Sequence, residues 1–172
     1  MDAAHFVLGS FIGGLWCFVR VFTKSAAGRN RINVLGAFNP ISTQLETVIN
    51  TDCVNAQTTA QTLYLLAKKY GEKTINVILD NARYQHCAFI KELAVELKIN
   101  LVFLPPYSPN LNLIERLWKF TRKKVLNTNY YDTAPKFHNA IRGFIHEIQN
   151  SSKHHDEMKS LMTLKFQTFS QN

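Results

Sequence analysis

A mixed α/β fold, with a sheet of short strands flanked by helices, is predicted for this chain by three observations. Strand-like runs come first, with short connections between them. The hydrophobic period then changes from the strand pattern to helical spacing near residue 55. Two short apolar runs follow, each bracketed by helical stretches.

The elements can be taken in order. Residues 3–8 (Ala-Ala-His-Phe-Val-Leu) read as a first strand, and Gly13-Gly14 as a turn. Residues 15–22 are dense in β-branched and aromatic side chains and read as a second strand. A polar stretch with Gly28 precedes a third strand over residues 31–38, which ends at Asn39-Pro40; residues 44–50 suit an edge strand. From Asn55, a residue type suited to capping, Ala56, Ala60, Leu63, Ala67 and Tyr70 recur at helical spacing until Gly71 closes the run. Residues 75–79 (Ile-Asn-Val-Ile-Leu) and 100–104 read as strands buried on both faces, separated by a helix over residues 86–97. After Pro105-Pro106 a helix is expected over residues 112–126, then two more over 134–148 and, more weakly, 156–169. A meander of three strands followed by two strands reached through right-handed helical crossovers is the order of a ribonuclease-H-like, mixed five-stranded sheet flanked by helices. Residues 1–126 form the expected core and residues 127–172 a helical extension of the same domain.

The 172 residues suffice for one domain with a substantial core, and 46% hydrophobic content argues for a folded chain. Twenty Lys and Arg against twelve Asp and Glu leave a net charge of +8. That balance favours a polyanionic partner, nucleic acid before an anionic membrane surface, although a basic chain can also be simply soluble. The longest apolar stretch, residues 6–19, is interrupted by Ser10 and three glycines, falls short of the roughly 18–20 residues that span a bilayer, and lacks the basic flank of a signal peptide. Cys17, Cys53 and Cys87 are odd in number and widely spaced, which suits free or buried thiols in a reducing compartment. A cytoplasmic location follows, associated with the nucleoid if DNA is the partner.

Three acidic residues stand out. Asp80 ends the apolar run 75–79, and ligands of parallel α/β sheets gather at the carboxyl ends of strands. Asp2 lies beside the first strand, which the topology puts next to that of Asp80. Glu115 sits early in the helix after Pro-Pro-Tyr-Ser-Pro-Asn-Leu-Asn-Leu, at the edge of an apolar face with Leu111, Ile114, Leu117 and Trp118. Each has a plainer reading: a turn residue, a frayed terminal residue, and a first-turn glutamate favoured by the helix dipole. Three carboxylates brought to one end of a sheet repel one another unless cations intervene. Two Mg2+ ions, roughly 3.5–4 Å apart, relieve that repulsion and supply a catalyst for phosphoryl transfer.

Four segments carry a resemblance: Asp-Ala-Ala-His-Phe (2–6), Gly-Arg-Asn-Arg-Ile-Asn-Val-Leu-Gly-Ala (28–37), Leu-Asp-Asn-Ala-Arg-Tyr-Gln (79–85) and Leu-Pro-Pro-Tyr-Ser-Pro-Asn-Leu-Asn-Leu-Ile-Glu-Arg-Leu-Trp (104–118). Together they resemble the catalytic domain of bacterial mariner-like insertion-sequence transposases, members of the DDE superfamily of endonucleases. The likeness covers about residues 1–126, and the interval from Asp80 to Glu115 also fits the family pattern. It implies that Asp2, Asp80 and Glu115 form the catalytic, metal-binding triad. It implies Mg2+, for which Mn2+ can substitute, and DNA as substrate, both element terminal repeats and target. Cleavage at the element end frees a 3′-hydroxyl, which then attacks target DNA, typically at a TA dinucleotide. Work as a homodimer on paired ends is implied as well.

Around the triad, Asn81 and His86 are close enough in sequence to orient a carboxylate or touch phosphate, although His86 equally suits a helix start. Asn112 fits best as the cap of the Glu115 helix. Arg116, Lys119, Arg122, Lys123 and Lys124 give that helix a basic flank suited to DNA phosphates or to plain solvation. Lys24, Arg29 and Arg31 are further basic candidates, Trp118 reads as core, and the polar cluster at residues 153–157 as solvated surface.

Related transposases place helix-turn-helix modules upstream of the catalytic domain, and no such module precedes Asp2 here. A split element, whose upstream helix-turn-helix polypeptide is a separate partner, would account for this. So would a remnant or a fragment. The competing functions are another ribonuclease-H-like nuclease, and a non-catalytic DNA-binding remnant or inhibitor of a full transposase, which needs no intact triad.

Overall fold

The computed structural model describes residues 1–9, 18–19, 30–71, 73–106, 108, 111–127 and 129–166. Strands β1 (Asp2–Val7), β2 (Arg31–Asn39) and β3 (Gln44–Asn50) form an antiparallel sheet in the order β1-β2-β3. Its register pairs Asp2 with Gly36 and Val7 with Arg31, then Asn33 with Asn50 and Asn39 with Gln44. A polar ladder crosses all three strands in this register. His5 Nδ1 meets Asn33 Oδ1 at 2.7 Å, Asn33 Nδ2 donates to Asn50 Oδ1 at 3.0 Å, and Asn50 donates to the Cys53 carbonyl. Asn33 is fully buried, so these bonds meet a polarity that would otherwise cost about 1–3 kcal/mol.

Among the described residues the meander consists of β1, β2 and β3, with residues 44–50 as the edge strand that the sequence suggests. The strand expected over residues 15–22 lies outside the described residues except for Phe18 and Val19, which form an exposed bend.

Helix α1 (Ala56–Tyr70) follows its sequence signals closely. The Asn55 side chain accepts from the Thr58 amide at 3.0 Å, Lys68 and Lys69 occupy the last turn, and Gly71 closes the helix at φ 60°. Its buried face, Ala60, Leu63 and Leu66, packs with Leu35 of β2, Val77 and Leu79 of β4 (Ile75–Leu79), and Ile90 and Leu93 of α2 (Ala88–Glu96). Strand β5 (Ile99–Phe103) pairs parallel with β4, Ile75 opposite Ile99 and Leu79 opposite Phe103.

Among the described residues the strands lie in two sheets, of three and two strands, and one main-chain bond spans the seam, Met1 N to Ile78 O at 2.6 Å. One expectation is corrected: β4 and β5 are not buried on both faces. Burial alternates because α1 and α2 cover one face, leaving Ile78 and Val102 about half exposed on the other.

A second core holds the remaining helices. Helix α3 (Ile114–Thr121) begins two residues later than its pattern suggests and continues as a π-helical turn, Arg122–Leu126. Helix α4 (Ala134–Asn150) runs from a proline-containing first turn, and α5 (His155–Leu161) is shorter than expected. Ile114, Leu117 and Trp118 of α3 pack with Phe6 and Val34 of the first sheet and with Phe137, Ile141 and Ile145 of α4. Trp118 is core, edge-on to Phe6 at 6.3 Å. Among the described residues no helix is long and apolar enough to cross a membrane.

Candidate active site

Asp2, Asp80 and Glu115 come from three elements and line one cleft. Asp2 is the first residue of β1, Asp80 follows the last residue of β4, and Glu115 lies in the first turn of α3. The cleft has a volume of about 150 Å³, and Asn81, Leu104, Pro105, Ser108 and Asn112 complete its lining. The two strand ends are adjacent because Met1 N reaches β4, and α3 is brought over β2 by a close helix–strand approach at Gly36. A Cβ on Gly36 would lie 2.7 Å from the Trp118 ring and 3.0 Å from the Ile114 side chain. Only glycine permits that contact, which seats the first turn of α3 above the start of β1.

Asp2 is electrostatically the most perturbed member. Its carboxyl is buried, and Oδ2 has no hydrogen-bond partner among the described residues. Burial first, then the charges of Glu115 and Asp80, push its pKa up to about 6 against a bond from the Ala3 backbone that lowers it. The Met1 amino group is pulled down to about 6, chiefly by burial. Asp80 Oδ1 accepts from the Ala82 amide at 3.4 Å, a turn contact that leaves Oδ2 free of this role.

The neighbouring residues divide by what they touch. Asn81 joins the two strand ends, donating to the Leu104 carbonyl and meeting His86 Nε2 at 3.2 Å. His86 stacks on Phe103 with ring centroids 3.9 Å apart. With Leu104 N bonded to Leu79 O at 2.9 Å, these contacts fix the loop that carries Asp80. Asn112 does not cap α3 through its side chain. It is buried and donates to the Met1 carbonyl at 3.5 Å, tying the start of α3 to β1, because the chain enters α3 through Leu113 in helical geometry.

The basic flank is equally divided. The Arg116 guanidinium donates to the carbonyls of Leu161, Thr163 and Lys165, at 3.1, 2.7 and 2.7 Å, and lies over Phe166. Arg122 lies over the Phe6 ring, and Lys124 pairs with Glu157 at 2.7 Å. Lys119 and Lys123 are exposed on the wall of a groove between α3, its π-helical turn and α5. Arg31 donates to the Asp52 carbonyl; Lys24 and Arg29 lie outside the described residues.

Tyr84 is a residue that the sequence reading missed. Burial and the charges of Asp80 and Asp2 raise its hydroxyl to about 12, so it stays protonated beside the acidic cleft. Its position within residues 79–85 was the available signal. In the cluster at residues 153–157, Lys153, His155, Asp156 and Glu157 are exposed as expected, and His154 alone departs from that reading. His154 is buried against Phe120 and Phe144, and its ring nitrogens face Glu157 at 3.0 Å and Glu147 at 3.6 Å. Cys53 and Cys87 are free thiols.

A divalent cation suits this donor set on structural grounds. A buried carboxylate oxygen without a partner faces two further carboxylates, an arrangement that favours a hard, oxygen-seeking cation. Among the described residues the acidic side chains surround the cleft without closing into a ready-made cage of three ligands.

An α/β fold with carboxylates from two strand ends and a following helix lining one cleft suits metal-dependent chemistry on phosphate esters. Residues 19–138 match the family described as DDE superfamily endonuclease, and the chain belongs to that family. Among solved structures, the fold is similar to Mos1 transposase in its paired-end complex with the left transposon end. The TM-score is 0.69 at 14% identity, covering 94% of this chain and 49% of that one. The Mos1 mariner paired-end complex with Mn gives 0.68 at 12% identity, covering 95% and 51%. The Mos1 transposase catalytic domain with raltegravir and Mg gives 0.65 at 12%, covering 95% and 75%. The chain spans about half the length of the full transposase chains it matches. No curated protein matches it in sequence.

Proposed function

We propose that this chain is the catalytic domain of a DNA transposase, with Asp2, Asp80 and Glu115 as the residues that hold its divalent ions. The observation that carries this reading is Asp2. A buried carboxylate with an unpartnered oxygen, facing Asp80 and Glu115, costs several kcal/mol unless a cation joins it. A purely DNA-binding module has no use for such an arrangement, which disfavours the non-catalytic alternative.

In this reading the ions are a pair of Mg2+, for which Mn2+ can substitute. When bound, they supply Lewis-acid stabilisation of the phosphodiester oxygens and make water a competent nucleophile near neutral pH. The protein's own part is positional. Asn81 and the Leu104–Leu79 bond fix the Asp80 loop, Asn112 fixes α3 against β1, and Gly36 lets Glu115 approach. The protonated Tyr84 hydroxyl adds no charge beside the carboxylates. Lys119 and Lys123 offer ammonium groups to the phosphates of a DNA strand, whether element end or target. Element-end recognition falls to an upstream helix-turn-helix polypeptide and pairing of ends to a homodimer, the whole acting on the nucleoid in the cytoplasm.

The test is chemical. Supercoiled plasmid is incubated with the chain and Mn2+, and nicks are probed for a 3′-hydroxyl that a polymerase can extend. Nicking that Asp80→Asn and Glu115→Gln reduce by about a hundredfold or more supports the reading. Equal nicking by parent and variants would rule it out.

A further inference from the structure

The β4–β5 ladder stops where the acidic cleft begins. Leu79 pairs with Phe103, and Leu104 N still donates to Leu79 O at 2.9 Å. In a parallel pair the next rung would run from Asn81 N to Leu104 O. The Asn81 side chain takes that place, its Nδ2 donating to the Leu104 carbonyl. The main chain at Asp80 thus leaves the strand while the two strand ends stay joined, and it turns on the bond from the Ala82 amide to Asp80 Oδ1. Pro105, next on the β5 side, has no N–H with which to extend the ladder.

A side-chain rung holds only while its amide keeps one orientation, and Asn81 is exposed. His86 supplies the constraint. Its ring stacks on Phe103, the last residue of β5, with centroids 3.9 Å apart and planes inclined by 19°, and its Nε2 lies 3.2 Å from Asn81 Oδ1. The Leu104 carbonyl can only accept, so Asn81 presents Nδ2 to Leu104 and Oδ1 to the ring, and Nε2 must carry a proton. One imidazole is therefore attached to both strand ends at the point where main-chain pairing stops. The helix-start role that its sequence position suggests is not what this side chain performs. Helix α2 begins at Cys87 without a side-chain cap, and the His86 ring is engaged with Asn81 and Phe103 instead. Asn81 and Leu104 line the cleft beside Asp80, so a shift of this rung shifts the carboxylate.

We propose that His86 is a positioning residue for the acidic cleft: braced on Phe103, its Nε2–H locks the Asn81 amide into the rung that sets where Asp80 stands opposite Asp2 and Glu115. This role rests on the metal-binding reading of the cleft and deepens it.

One readout needs no metal. Long-range 1H–15N correlation on the full chain, recorded on the neutral imidazole, should show His86 protonated at Nε2 and bare at Nδ1, and the opposite tautomer overturns the proposal. The second readout uses His86→Phe, which keeps a ring against Phe103 and removes the donor. It should weaken Mn2+ binding, read by calorimetry, by about tenfold or more, and lower kcat for plasmid nicking with KM for DNA held within about twofold. Asn81→Ala should do the same, and the double variant should lose no more than either single one, because both remove one hydrogen bond. Full additivity overturns the role. So does a raised KM with kcat preserved, which would make the ring a DNA contact. A parent that binds no Mn2+ overturns the proposed function together with this role, whereas a parent that binds it equally with and without the imidazole overturns this role alone.

Discussion

Asp2 shows how far residue type and position can lead. Its place at the start of a strand, with Asp80 at the end of another and Glu115 early in a helix, was legible because strand ends and a long proline-rich motif mark those positions in the sequence. What the sequence could not show was the environment: burial, an unpartnered oxygen, and Tyr84 alongside. Periodicity reports which face a side chain is on, not which charges a crossover brings near it. Asn112 and Arg116 illustrate the same limit, one bonding to Met1 and the other to the carbonyls of residues 161–165, where local pattern suggested a cap and a phosphate contact. A pH prediction follows from Asp2. Its folded pKa, about 6, lies above the ordinary 3.8, so the stability it contributes is present below the unfolded value and lost as pH rises through about 6. Without divalent metal, Asp2→Asn should therefore gain on the parent by on the order of 3 kcal/mol between pH 4 and pH 7.5, read by urea denaturation. A difference that stays constant with pH would contradict the burial assigned to this carboxyl.

At the scale of elements, the helices were more legible than the strands. α1 carries its own start and stop signals in Asn55 and Gly71, so local sequence determines its bounds. Strand cover depends on partners distant in sequence, which is why β4 and β5 looked doubly buried although one face is open. The contact of β2 with α3 is likewise invisible locally: Gly36 reads as an ordinary glycine until the Trp118 ring is seen against it. Gly36→Ala should cost about 1–3 kcal/mol in chemical denaturation and also weaken Mn2+ binding, because the displaced helix carries Glu115. Unchanged metal affinity would mean that α3 does not depend on this contact for its position. Arg116→Ala should release the segment after α5, raising amide exchange across residues 161–165 while leaving the exchange of α1 unaltered.

Across the whole molecule, the charge of +8 pointed toward a polyanion, but several cations that contribute to it are engaged inside the protein. Lys119 and Lys123 remain exposed beside the acidic cleft's helix, and under the proposed function they are the residues that contact DNA. Replacing both with Ala should reduce the slope of log affinity against log salt by about 2, measured by fluorescence anisotropy on duplex DNA. An unchanged slope would move the DNA path elsewhere. The division into two sheets, bridged by Met1 at Ile78, bears on the central claim, because the three carboxylates line one cleft beside that seam. The most direct measurement is calorimetric titration of Mn2+ into the parent chain, Asp80→Asn and Glu115→Gln. Saturable binding by the parent that both substitutions abolish is the predicted result, and it would show that carboxylates from separate elements act as one metal site. Parent binding no stronger than that of the variants would contradict the account.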